Sequence, residues 1–116
     1  MNRTLLAALI AAGASFLPLS AHAAGFDCAK ARAADEKAIC ADRGLNDKDV
    51  KMSILYEIDG HLVAMGRRGA IHDEQVAWLS ARKACGGARA CLNAAYDRRI
   101  VALQSVLDEV YTHGPF

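Results

Sequence analysis

"QVAWLSARKACGGARAC", residues 75–91, holds the chain's only tryptophan and two of its four cysteines. A run of helical character reaches Cys85, meets Gly86-Gly87, and restarts near Arg89. A glycine just past the last turn supplies the left-handed residue that closes a helix. The stretch therefore predicts two antiparallel helices joined by a tight turn, with Cys85 ending the first and Cys91 opening the second. Three chemistries compete for this cysteine pair. A redox motif needs C-x-x-C, and here five residues intervene. A zinc site needs four convergent ligands, and His61, His72 and His113 are scattered without paired spacing. A structural disulfide clamping the hairpin at its turn fits best, and no metal or cofactor is expected.

The compartment agrees with a disulfide. "MNRTLLAALIAAGASFLPLSAHA" (1–23) has a basic start at Arg3, an apolar run from Leu5 to Leu17, and Ala21-His22-Ala23 as a small-x-small cleavage site. The apolar run is too short to span a bilayer. Residues 1–23 are thus expected to be a secretory signal peptide and residues 24–116 a single helical domain, periplasmic or secreted, with no membrane insertion once the leader is removed. "GFDC" lacks the small residue that a lipoprotein box places before its cysteine. All four cysteines, Cys28, Cys40, Cys85 and Cys91, lie in this mature part. In a small exported domain they imply two disulfides. Of three possible connectivities, the local pairs Cys28–Cys40 and Cys85–Cys91 are favoured. Each closes a short loop and is worth roughly 2–3 kcal/mol by chain entropy.

The chain carries 14 basic and 13 acidic side chains. The leader takes Arg3 with it and leaves a charge near zero. That argues against nucleic acid as a partner, because such binding needs a basic excess to displace counterions.

No mature window shows the period of two that marks a strand, so the fold class expected is all-α: a small disulfide-stapled bundle of three to four helices. The first helix is expected from Asp35, as N-cap, to Ala41. The second begins near Asn46, carries the stripe Met52, Leu55, Ile58, Leu62 and Met65, and ends at "GRRG" (66–69). The third starts near Asp73 and the fourth runs from about Arg89 to Tyr111, with Leu92, Tyr96, Ile100, Leu103, Leu107 and Val110 inward.

Some polar residues fall on these apolar faces. Gln75, Trp78, Arg82 and Cys85 share one side of the third helix. Arg82 lies one turn after Trp78 and can stack on its ring or pair with a carboxylate from another helix. Asp49, beside the second helix's stripe, and Glu36 are the candidates, and Arg99 on the fourth helix would take the remaining acid. The set is either a ligand or catalytic cluster or an internal set of paired charges that fixes helix docking; the second is favoured. Asp49 has a further structural reading, as the third residue of a helix capped by Asn46. Trp78, Tyr96 and Tyr56 are expected to be core. No serine sits in a nucleophile elbow, the cysteines are expected to be oxidised, and no pattern brings two carboxylates together. No catalytic residue is assigned. "MGRRGAIHD" (65–73) remains as a basic helix connector, whose Arg67, Arg68 and His72 form a candidate cationic tip for a partner.

Several pieces together resemble a known family. They are "FDCAKA" (26–31), "EKAIC" (36–40), Leu45 with Asp49, "LY" (55–56), "QVAWLSARKAC" (75–85) and "CLNAAYDRRIVAL" (91–103). Their order is similar to that of the LprI-like lysozyme inhibitor family, N-terminal domain. The resemblance spans Phe26 to about Leu103. It implies a small helical exported domain with paired cysteines and, by extension, inhibition of lysozyme; a monomer that binds a protein partner, a lysozyme, is expected. Residues 57–74 carry little of the shared pattern. The alternative expectation is a non-enzymatic interaction or structural module of the cell envelope with no lysozyme contact.

Overall fold

The computed structural model describes residues 24–113. The expected leader, 1–23, and Pro115 lie outside the described residues. A single 3-10 turn at Cys28–Lys30 precedes four helices: α1 (Ala34–Ala41), α2 (Arg43–Leu62), α3 (Met65–Ala84) and α4 (Arg89–His113). Among the described residues there is no strand, and the fold is an all-α, disulfide-stapled bundle.

The long helices run up, down and up. Asp42 and Lys48 on α2 meet Arg89 and Asp97 on α4, and farther along Val63 and Val106 line one groove, so these two helices are parallel. α3 returns antiparallel to both, with Arg82 near the start of α2 and Ile71 near its end. α2 and α4 make the most extensive contact in the bundle, and α1 lies across α2 at the end where both begin.

Each boundary has a local cause. α1 and α2 are separated by Asp42 alone, whose backbone is extended (φ −114°, ψ 114°) and whose carboxylate accepts the Leu45 N–H at 2.9 Å as an N-cap. The expected gap from 42 to 45 and the start near Asn46 are therefore corrected: Asn46 and Asp49 are interior residues of α2, buried, and Asp49 caps nothing. Glu36, at the third position of α1, reaches back to the N–H groups of Arg32 and Ala33. Asp35 is likewise inside α1 and is not its N-cap.

The second correction concerns "GRRG". α2 stops at Leu62, two residues (Val63 and Ala64) carry the chain round, and α3 is already helical at Met65. The basic stretch forms the first turns of α3, which begins eight residues before the expected Asp73. Met65 consequently leaves the α2 stripe and is 84% exposed. The true inward stripe of α2 is Leu45, Asp49, Met52, Leu55 and Asp59, with Ile58 and Leu62 on its margin.

The turn between α3 and α4 forms as its glycines predict. Gly86 has φ +56°, the one positive φ among the described residues, and its N–H returns to the Lys83 carbonyl. The disulfides pair Cys28 with Cys40 and Cys85 with Cys91, with Cα–Cα distances of 5.8 and 5.6 Å. One ties the N-terminal turn to α1; the other closes the α3–α4 hairpin.

The core is Ile39, Leu45, Met52, Leu55, Ile71, Leu92, Tyr96, Leu103, Val106 and Leu107. Trp78 meets Tyr96 edge-on at 5.1 Å between centroids and donates its indole N–H to the Ala95 carbonyl at 2.9 Å. Tyr56 packs against the core while lining a groove.

Candidate functional site

Two regions concentrate polar chemistry: a buried ion-pair network and an exposed basic corner. The network starts from Arg82, which α3 holds inward because it lies seven residues, two turns, after Gln75 on the same face. Its Nε donates to Asp35 Oδ2 at 2.9 Å, and its Nη1 stands 3.6 Å from Asp49 Oδ1. The guanidinium lies between the Trp78 and Phe26 rings, at 5.7 and 5.5 Å. Tyr96 donates its hydroxyl to Asp49 Oδ1 at 2.6 Å, and the Gly25 N–H donates to Asp49 Oδ2 at 2.6 Å. Burial first, and the Asp49 hydrogen bond second, raise the Tyr96 pKa, so the phenol is a neutral donor. Burial opposes the Arg82 charge, but the Tyr96 oxygen and the Asp35 carboxylate outweigh it and its pKa rises. The guanidinium is fixed as a cation.

Of the expected partners of Arg82, Asp49 is present and Glu36 is not. Glu36 is turned to its own helix N-terminus, and its neighbour Asp35 takes the ion pair. The sequence clue to Asp35 was its place four residues before Ile39, on the inward face of α1. Arg99 makes a separate set, since its Nε donates to Gln75 Oε1 at 2.9 Å, its Nη2 to the Ile71 carbonyl, and its Nη1 pairs with half-exposed Glu74 at 3.3 Å. Gln75 in turn donates to Met52 Sδ. Asp35, Asp49, Arg82 and Arg99 are all buried, and their partners are protein groups on α1, α2, α3 and α4. The arrangement joins helices through their side chains.

Asp59 was not singled out in the sequence. It is fully buried, and neither carboxylate oxygen has a hydrogen-bond partner among the described residues. Burial pushes its pKa up to about 6, while Arg99 and Arg67 pull the other way. The signal available was its spacing, a helical turn from Leu55 on the inward stripe.

The basic corner lies where α2 turns into α3. Ala64 is the N-cap of α3 and offers no side-chain acceptor, and the first turn holds no acid. Arg67 and Arg68 stand there instead, at the positive end of the helix dipole, where cations are disfavoured by a few tenths of a kcal/mol up to about 1 kcal/mol each. Arg67, Arg68 and His72 are all exposed. They are not one tip. Arg68 and His72, with His61 from α2, line a groove of about 550 Å³ floored by Tyr56 and Ile71. Arg67 lines a second groove, of about 340 Å³, with Val106 and Val110 of α4. Apolar side chains gather around the same corner, where Ile58, Leu62 and Met65 are exposed.

Among the described residues no group of three or more His, Cys, Asp or Glu side chains is placed to hold a metal, and no helix is long and apolar enough to cross a membrane. Comparison with protein-family models, with curated proteins and with solved structures finds no match.

Proposed function

We propose that the chain is an exported, non-enzymatic binding protein that docks a protein partner, a lysozyme, on the α2–α3 corner. The leader-like residues 1–23 and the two disulfides support export to an oxidising compartment. The resemblance of the cysteine, tryptophan and tyrosine pattern to LprI-like inhibitors supports lysozyme as the partner. The observation that carries the corner is energetic. Arg67 and Arg68 occupy an uncapped helix start, a placement that weakens α3 and makes no compensating ion pair among the described residues. Glycosidases of this kind work with two carboxylates in an open cleft. A positive helix end with two arginines and His72, edged by Ile58, Leu62 and Met65, complements such a cleft in charge and in apolar contact. The action is occlusion: the corner fills the cleft and no bond in the protein is made or broken.

A binding titration against lysozymes of several classes tests this. Saturable binding to at least one, weakened by Arg67→Ala/Arg68→Ala, is the expected result. A second reading is favoured by one feature: the mature chain is close to neutral, so it has no long-range attraction for strongly basic lysozymes. In that reading the same corner holds an envelope protein. Recovery of a defined envelope partner from periplasm, with no binding to any lysozyme, would establish it.

A further inference from the structure

The buried network is short of one positive charge. Asp35 and Asp49 are both within 2% of full burial, and Arg82 is the one cation paired with them among the described residues. Asp35 Oδ1 also has no hydrogen-bond partner. An uncompensated charge in such a place is expensive. The chain's own N-terminal segment is built into the same cluster. Gly25 donates its N–H to Asp49 Oδ2 at 2.6 Å, and it sits so close to α2 that a Cβ there would overlap Ser53 Oγ. Phe26 covers the Arg82 guanidinium, and Ala24 is 9% exposed in the uncleaved chain.

We infer that the α-ammonium group of Ala24, freed by removal of the leader, is the missing cation of this cluster. The inference rests on the reading of residues 1–23 as a leader cleaved after Ala23. Hydrolysis of the Ala23–Ala24 peptide bond gives the carboxylate to the departing leader and leaves a protonated amine on Ala24, the oxygen of the water ending in the carboxylate and both its protons on the amine. Successive backbone nitrogens are at most about 3.6 Å apart, so that amine lies within about 6 Å of Asp49 Oδ2. At that range from a carboxylate as buried as Asp49, a positive charge is strongly attracted. Before cleavage the same nitrogen is a neutral amide. Leader removal thereby changes the charge of the cluster from −1 to 0 and turns processing into a step that tightens the fold around α1, α2 and α3.

The test compares two synthetic, oxidised chains from Ala24 to Phe116, one with a free N-terminus and one Nα-acetylated, by urea unfolding at pH 6.5. The free form is expected to have a folding equilibrium constant at least tenfold larger. The gap is expected to persist in 1 M salt, which screens surface charges but not buried pairs. Equal constants, or a gap abolished by salt, overturn the assignment. Mass spectrometry of the exported protein checks the premise separately: a product beginning anywhere but at Ala24 removes cleavage after Ala23, and with it this role, whatever the synthetic pair shows.

Discussion

Arg82 Nε on α3 lies 2.9 Å from Asp35 Oδ2 on α1, joining residues 47 positions apart, while its Nη1 faces Asp49 on α2. One side chain therefore holds three helices in register at the end of the bundle where α1 crosses α2.

Removing it leaves two buried carboxylates facing each other. Arg82→Ala is expected to lower unfolding free energy by about 3–5 kcal/mol, the range for stripping one partner from a buried ion pair. That is a large share of the roughly 5–15 kcal/mol that holds a domain folded. Arg82→Lys keeps the charge but loses the planar fork that meets Asp35 and Asp49 at once, and is expected to fall between the two. Urea unfolding followed by Trp78 fluorescence measures all three; an Arg82→Ala protein as stable as the parent would show that the pairing does not hold the helices.

Asp59 gives the stability a pH dependence of known sign. Its folded pKa, about 6, is above its ordinary value of 3.8, so the folded state binds the proton more tightly than the unfolded one. The stabilisation is fully present below pH 4 and is lost as pH rises through about 6, amounting to no more than about 3 kcal/mol. Asp59→Asn removes the titration. The variant is expected to be more stable than the parent at pH 7.5 and to show a flatter profile between pH 4 and 7. Parallel profiles for the two proteins would place the titrating group elsewhere.

Gly66 and Gly69 lie in the helical part of "GRRG", and a Cβ at either would meet open space. Alanine there is expected to stabilise α3 by about 0.5–1 kcal/mol at each position. A thermal melt of Gly66→Ala/Gly69→Ala that falls below that of the parent would mean these glycines serve the fold in some other way.

The two disulfides act on different loops and are expected to contribute separately. Cys85→Ser/Cys91→Ser and Cys28→Ser/Cys40→Ser should each cost roughly 2–3 kcal/mol, from loops spanning 6 and 12 residues. Losses that are far from additive in the quadruple variant would tie the two staples to one cooperative contact.

The contrast between what was legible and what was not has a physical basis in these same residues. Helices and their pairing by cysteine are written in short-range terms: the inward stripe of α4, the glycine at 86 and the spacing from Cys85 to Cys91 need no tertiary knowledge. The failures occur where packing overrides local preference. Gly66 and Gly69 resemble breakers, yet burial of Ile71 against the core keeps that segment helical, and the chain turns instead at Val63–Ala64, which carries no turn residue. Asp42 alone separates α1 from α2 because its side chain caps Leu45. The polar cluster was visible as polar residues on apolar faces, but choosing Asp35 over Glu36 required the crossing of α1 on α2. Asp59 escaped notice because a buried carboxyl without a partner contradicts the rule that locates buried polar groups.

The most direct measurement of the functional account is a cell-wall lysis assay with purified, oxidised mature protein added to lysozyme. The account predicts loss of lysozyme activity at micromolar inhibitor, with Arg67→Ala/Arg68→Ala folded, no less stable than the parent, and a weaker inhibitor. Undiminished lysis at that concentration, across lysozymes of several classes, would contradict it.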